Sequence, residues 1–296
     1  MIIANLVGGL GNQMFQYACA RSLAADLELP LKVSLDMFKA YASFHNGPEL
    51  ERAFSLELDI AHPDDLRRMI GMMRVLPTVR RALASKVLAP LRGKRFITEH
   101  HFSYWDGLLD QARTGGYLQG YWQSERYFVK HAASIRNDFT FRQPQTEYNS
   151  ELARTIRDCV AVSIHVRRGD YVSDAKTLSV YGTCTPEYYF KAIEYLCQGI
   201  PDARLFVFSD DPKWVAEVLV PRYPGLVLVE HNRGDSSYND MRLMSMCRHH
   251  IIANSSFSWW GAWLNSSKNK IVVAPRLWFL NGTNDCDLIP SSWIRV

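Results

Sequence analysis

Several common features are missing from this 296-residue chain. It has no charge-free apolar run of about 18 residues, which excludes an ordinary transmembrane helix. The opening Met1-Ile2-Ile3-Ala4-Asn5-Leu6-Val7 has no basic stretch before it and runs straight into Gly8 and Gly9, so it reads as a strand and not a secretion signal. Six cysteines are scattered without a C-x-x-C pair or a Cys/His cluster at zinc spacing, which points to free thiols in a cytoplasmic protein. In that compartment the N-x-S/T triplets at Asn254, Asn265 and Asn281 carry no meaning. Acidic residues are absent from Arg67 to Arg95, where nine Lys or Arg stand against a whole-chain net charge of +4, leaving the rest of the chain net acidic. That basic stretch lacks interleaved aromatics, which argues against nucleic acid.

What remains is an ordinary globular composition, 47% hydrophobic and 22% charged. At about 150 residues per domain the length suggests two domains, with a turn-rich boundary that divides the chain into 1–145 and 146–296. The first strand leads into Gly8-Gly9-Leu10-Gly11-Asn12-Gln13 and a helix from about Met14 to Leu27, and Leu31 to Asp36 reads as a second strand. His62-Pro63-Asp64-Asp65 can cap the next helix. In the basic stretch Met69, Met72, Met73, Leu76, Val79, Leu83, Val87 and Leu91 recur at mostly three- and four-residue steps. They predict one apolar helical face, broken at Pro77, with the arginines opposite. Such an arm is either a solvated helix packed on its domain or a surface for an anionic membrane or a lipid-linked acceptor. The segment around Tyr121, Trp122 and Gln123 is aromatic and polar, suited to stacking on a sugar or equally to core packing.

The second half alternates apolar runs (Val160 to Val166, Leu205 to Phe208, Leu226 to Val229, His250 to Ala253, Ile271 to Ala274) with helical stretches near 186–198, 212–222 and 236–247. This alternation predicts a parallel α/β sheet covered on both faces, with ligands beyond the carboxyl ends of its strands. Three of those ends carry chemistry. After the first run stand His165, Arg167, Arg168 and Asp170; paired arginines suit a diphosphate, because the guanidinium fork donates two parallel bonds and stays charged, although an arginine paired with Asp170 can simply hold the loop. After the second come Asp210 and Asp211, helix caps or acceptors for the N–H groups of a guanine base. After the fourth, Asn254-Ser255-Ser256-Phe257 places hydroxyls and backbone N–H groups at a helix start, where an anion binds. Asp285-Cys286-Asp287 is the sole D-x-D, lies in a polar tail, and reads as coincidence, so no metal is expected.

These blocks together resemble the α-1,2-fucosyltransferases, glycosyltransferases that move fucose from GDP-fucose to a galactose 2-hydroxyl. The resemblance rests on Gly8 to Tyr17, the H-x-R-R-x-D block at His165 to Asp170, Phe208-Ser209-Asp210-Asp211, and His249 to Leu264. It implies a GT-B-like fold of two Rossmann-like domains, an N-terminal acceptor side and a C-terminal donor half. It also implies inversion at the fucose carbon without a metal or other cofactor, GDP-fucose being a co-substrate and a β-galactoside, free or lipid-linked, the acceptor. Carried over by position, Arg167, Arg168, Asn12 and Asp170 would be catalytic. Gly11, Gln13, His165, Asp210, Asp211, Asn254, Ser255, Ser256 and Phe257 would hold the donor, and Tyr121, Trp122, Gln123 and Asp174 would meet the acceptor.

Two other readings compete. Gly9-x-Gly11 after a strand, with Asp36 after the next, imitates a dinucleotide fingerprint and suggests an NAD(P)-dependent oxidoreductase, but Met14 occupies the third glycine position. A sugar-binding module without catalysis would use the aromatics and leave the arginine pair and serine turn unexplained.

Overall fold

The computed structural model describes residues 1–40, 46–142 and 145–296, except the side chains of 39, 40, 170 and 173. It divides into two compact units, Met1–Arg142 with Cys286–Leu288, and Gln143–Asp285 with Ile289–Val296.

The first unit is built on a parallel sheet of β1 (Ile2–Asn5), β2 (Leu31–Ser34), β3 (Phe96–Thr98) and β4 (Gly116–Gln119), in the order β2-β1-β4-β3. The helix Leu10–Asp26 follows β1 and buries nearly its whole circumference, Met14, Phe15 and Ala18 included, so its sequence shows no amphipathic stripe. The second strand ends earlier than the sequence suggests. Asp36 opens a short helix, Asp36–Ala40, and its Oδ2 lies 2.8 Å from Arg80 Nη2. This removes the acidic residue that the dinucleotide reading needs at the strand end. At Pro63–Ile70 the expected cap is present: His62 accepts from the Asp64 N–H at 3.3 Å and Asp65 accepts from the His62 N–H at 3.0 Å.

The basic stretch departs most from expectation. Gly71, Pro77 and Pro90 cut it into Pro63–Ile70, Met72–Val75, Pro77–Leu83 and Lys86–Leu91, the second and fourth of these being 3₁₀ turns. No single helical face runs through such pieces. Met69 and Leu83 join Ile3, Leu66, Phe96 and Tyr117 in the core, whereas Met72, Met73, Leu76, Val87 and Leu91 are exposed, Val87 by 84%. The arginines do not all face outward. Arg80 is fully buried, donating to the Ser34 hydroxyl at 3.1 Å and the Tyr117 hydroxyl at 3.0 Å besides its bridge to Asp36. Arg92 donates to the carbonyls of Leu83, Ala84 and Ser85 and to the Thr98 hydroxyl, and Arg74 to those of Ile70 and Leu91. Cationic side chains thus stitch together turns that have too few intrahelical bonds of their own.

The second unit carries six parallel strands, β5 (Val160–Val166), β6 (Ala203–Ser209), β7 (Val227–Val229), β8 (His249–Ile251), β9 (Val272–Ala274) and β10 (Ile294–Arg295). Their spatial order is β10-β9-β8-β5-β6-β7. Numbered within the unit, this is the 3-2-1-4-5-6 order of the Rossmann sheet, and its direction of winding reverses between β5 and β8. Along β5, Val162, Ile164 and Val166 pack against Tyr189, Ile193 and Leu196 of the helix Pro186–Gly199. Each such side chain, fully buried, contributes about 1.5–3 kcal/mol. By the two-residue period of a strand, Ser163 and His165 point to the other face.

The three residues Cys286–Leu288 belong to the first unit, where Asp287 accepts from the Tyr104 N–H at 3.0 Å and pairs with Arg126 at 2.9 Å. Asp285 stays in the second unit, accepting from the Trp278 N–H at 3.0 Å and pairing with Arg295 at 3.1 Å. The two carboxylates of the D-x-D therefore serve separate partners.

Candidate active site

The ends of β5, β6 and β8 build the site in the second unit. At β5, Arg167 Nη1 pairs with Asp210 Oδ2 at 2.9 Å, and Arg168 Nε pairs with Asp211 Oδ2 at 3.1 Å. Asp210 Oδ1 accepts from the Arg168 N–H at 2.8 Å, and Asp211 Oδ1 accepts from the Trp214 N–H at 3.1 Å, capping the helix Pro212–Val218. All four oxygens of this acidic strand end are thereby engaged by the arginine turn and the helix start. The guanidinium of Arg168 lies 4.8 Å from the centroid of the Trp214 ring and that of Arg167 lies 5.8 Å from that of Tyr171. Two rigidly held guanidinium groups at a strand end suit a diphosphate. The side chain of Asp170, in the helix Gly169–Ser173, lies outside the described residues.

Across the reversal point, Ser255 caps the helix Ser256–Leu264, its hydroxyl accepting from the Phe257 N–H at 3.3 Å. Ser256 and Phe257 are half-buried in the first turn, where the helix dipole and N–H groups favour an anion. The rings of His165 and Phe257 are 5.7 Å apart, and the Tyr171 hydroxyl donates to the Asn254 carbonyl at 3.1 Å, joining the β5 and β8 ends. His165 Nδ1 is buried without a hydrogen-bond partner among the described residues, an orphan of the sort that a ligand satisfies. Burial pushes the imidazole down to about 4, with Asp210 opposing and Arg167 reinforcing that shift, so it is neutral at pH 7. Asn254 is different from its neighbours. Its amide is buried and donates to the carbonyls of Tyr181 (2.8 Å) and Trp278 (3.3 Å), so it ties loops together below the turn. The tryptophans that follow, Trp259, Trp260 and Trp263, are core.

In the first unit, the loop after β1 holds Gly8 at φ +80°, and a Cβ there would meet Asn12 Nδ2 at 2.8 Å. Asn12 is half-buried and its Oδ1 accepts from Gln123 Nε2 at 2.7 Å. Gly11 and Gln13 are buried. Gln13 donates to the carbonyls of Gly8 (2.8 Å) and Gly47 (2.9 Å) and accepts from the Glu49 N–H at 2.9 Å, which spends its amide on folding the loop. Trp122 is 1% exposed and meets Tyr127 edge-on, which corrects its expected place against a sugar; Tyr121, 41% exposed, has the accessible ring. Asp174 caps the helix Ala175–Tyr181, accepting from the Thr177 hydroxyl and the Lys176 and Thr177 N–H groups, and these bonds hold its carboxyl below the usual range.

Tyr171 and Trp214 escape the sequence reading, although Tyr171 lies four residues beyond Arg167 and Trp214 at the first turn of a Pro-started helix, positions from which each can cover a guanidinium.

Two parallel-sheet α/β units with this site at a winding reversal place the protein in the GT-B-like class. The family model of glycosyl transferase family 11 matches residues 85–283, and the chain belongs to that family. It is 36% identical to an α-1,2-colitosyltransferase of Escherichia coli, over 100% of this chain and 99% of that protein. It is 33% identical to the O-antigen biosynthesis glycosyltransferase WbnK of the same species, over 98% and 99% of the two chains. Among solved structures it is similar in fold to the α-1,6-fucosyltransferase NodZ, a Bradyrhizobium protein, soaked with GDP-fucose. That likeness has a TM-score of 0.53 at 14% identity, covering 89% of this chain and 91% of that one. The protein is thus a glycosyltransferase.

Proposed function

We propose that the protein transfers L-fucose from GDP-β-L-fucose to the 2-hydroxyl of a terminal β-galactoside, with inversion, in the synthesis of a surface polysaccharide or oligosaccharide. The observation that carries this reading is the carboxylate-held Arg167–Arg168 pair at the end of β5 with the Ser255-capped helix following the adjacent strand β8, on the two sides of the winding reversal. In the reaction the bond from the fucose C1 to the GDP oxygen breaks, the acceptor oxygen bonds to C1, and the acceptor hydroxyl gives up its proton. Negative charge grows on the departing diphosphate, where preorganised donors stabilise the transition state more than the ground state. Arg167, Arg168 and the first-turn N–H groups with Ser256 supply those donors, so no metal is invoked. His165 and Phe257 line the donor pocket, with the orphaned His165 nitrogen accepting from the nucleoside. Asp210 and Asp211 serve by holding the arginines, and Asn254 and Gln13 by shaping their loops. To the N-terminal unit we assign the acceptor side, with Asn12 as a catalytic residue and Tyr121 as a contact for the acceptor sugar.

Substituting Arg167→Ala is expected to lower kcat by about 10² to 10³, and calorimetry should show a matching loss of GDP affinity. Retained affinity would place the diphosphate elsewhere, and activity abolished by chelator would restore a metal to the scheme.

A second donor is favoured by the likeness to a colitosyltransferase. Colitose is fucose without its 3-hydroxyl, so side-by-side turnover of the two GDP-sugars tells whether a site group bonds that hydroxyl. We further assign the arm at 67–95 to the surface of an anionic bilayer carrying a lipid-linked acceptor. Exposed Met72, Met73, Leu76, Val87 and Leu91 interspersed with exposed Arg81, Lys86, Lys94 and Arg95 support this reading.

A further inference from the structure

A carboxylate in the first unit stands apart from the donor site. Glu99 follows β3 directly, and its backbone N–H continues the pairing with β4 by donating to the Gln119 carbonyl at 3.0 Å. Its two side-chain oxygens divide between successive backbone donors just beyond β4: Oε2 accepts from the Tyr121 N–H at 2.9 Å and Oε1 from the Trp122 N–H at 3.0 Å. Trp122 has φ +56°, in the left-handed region that a bulky L residue avoids. Something must hold it there, and the carboxylate grips its N–H while the indole is fixed in the core. Gly120 admits the arrangement, since a Cβ there would meet Glu99 Cβ at 2.6 Å. The residue after the strained turn is Gln123, whose Nε2 holds Asn12 Oδ1 at 2.7 Å. That bond fixes which way the Asn12 amide is turned, with its oxygen toward Gln123 and its nitrogen on the Gly8 side. All of these groups sit at the carboxyl edge of one sheet, at the ends of β3, β4 and β1.

We propose that Glu99 is a positioning residue: its carboxylate clamps Tyr121 and Trp122 in a left-handed turn, which sets Gln123 against Asn12 and so orients the Asn12 amide. The catalytic consequence rests on the role given to Asn12 above; the clamp itself does not. Burial raises the Glu99 carboxyl to about 7 while the two N–H bonds oppose that rise, so the clamp is half-ionised near neutrality. Among the described residues the other titratable groups facing it are the Cys19 thiol, on the helix Leu10–Asp26, and the Tyr127 hydroxyl; burial raises both, leaving them neutral at pH 7. Protonation of Glu99 takes away one acceptor and loosens the turn.

Two measurements on the full chain separate the layers. Amide hydrogen exchange of wild type and Glu99→Gln reads the clamp without any sugar. Exchange at Tyr121 and Trp122 should accelerate in the variant while β1 and β4 remain protected; unchanged exchange at those two amides overturns the proposal. Turnover of GDP-fucose by Asn12→Ala, Gln123→Ala, Glu99→Gln and the Asn12→Ala/Glu99→Gln pair reads the coupling. Loss of orientation is expected to cut kcat up to about 100-fold in each single variant with donor KM unchanged, and the pair should be no worse than Asn12→Ala alone. Additive losses in the pair overturn the proposal. Normal turnover by Asn12→Ala with the exchange result intact instead sinks the assigned role of Asn12 and leaves the clamp standing. If Glu99→Gln unfolds, Gln123→Ala, which leaves the carboxylate in place, carries the kinetic test.

Discussion

Single residues in this protein are decided by what their polar atoms must reach. Gln13, Asn254 and Trp122 lie inside motif blocks that point to ligand contact, yet each is buried with its hydrogen-bonding or packing capacity used within the fold. Asn12, Ser256 and Phe257, in the same blocks, remain partly accessible. A one-dimensional motif cannot separate these two sets, because the side of a turn that faces inward is fixed by partners such as Gly47 or Tyr181, far away in the chain. His165 shows what such partners do to titration. Its folded-state value of about 4 lies below the ordinary 6.5, so between these values the unfolded chain takes up a proton that the folded chain refuses. Its contribution is complete above 6.5 and is lost as pH falls toward 4, at most about 3 kcal/mol from a shift of this size. Urea unfolding of His165→Gln should therefore show a shallower loss of stability across that window than wild type. The other buried histidines, His249 and His250, are depressed in the same sense by burial, so some acid sensitivity persists in the variant.

At the scale of elements, the second half of the chain is the more legible part. Seven-residue apolar strands such as β5 and β6, separated by Pro-started helices, announce a parallel sheet, and once that sheet exists the strand ends name the residues to inspect. The first half is less so. Strands β3 and β4 are three and four residues long and give no periodic signal, so Glu99 at the end of β3 has no sequence cue. The basic arm misleads for another reason, since its three- and four-residue spacing survives in the sequence while Gly71, Pro77 and Pro90 break the helix that the spacing presupposes. The helix Ala175–Tyr181 illustrates a choice that sequence leaves open. The resemblance puts Asp174 against the acceptor, but three hydrogen bonds make it a cap. Replacing it with Asn keeps a capping oxygen and removes the basic carboxylate. Asp174→Asn should retain kcat, whereas Asp174→Ala should lower the melting temperature. Loss of turnover in a folded Asp174→Asn protein would return the residue to the acceptor chemistry.

At the scale of the whole molecule the positive charges fall into two unlike groups. The arginines at the sheet end are few and paired with carboxylates, while the arm at 67–95 concentrates cations beside exposed apolar side chains. No described helix is long and apolar enough to cross a membrane. Surface attachment through short broken turns would combine insertion of Met72, Met73 and Val87 with attraction of about 1 kcal/mol for each cation near an anionic bilayer. Arg80 and Arg92 are excluded from that role by their internal bonds. Changing Met72, Met73 and Val87 to Ser should weaken sedimentation with vesicles containing anionic lipid and leave kinetics on a soluble acceptor unchanged. Equal sedimentation of the two proteins would make the arm a solvated appendage.

The short return of Cys286–Leu288 to the first unit bears on how this protein can be taken apart genetically. Asp287 supplies the carboxylate for Arg126 and for the Tyr104 N–H, so an N-terminal fragment ending at Arg142 lacks a piece of its own fold. A C-terminal fragment carries that piece without its partners. The heritable units of this enzyme, in exchange or recombination between relatives, are consequently not its two halves, because a crossover near residue 142 unites an Arg126 from one parent with an Asp287 from the other.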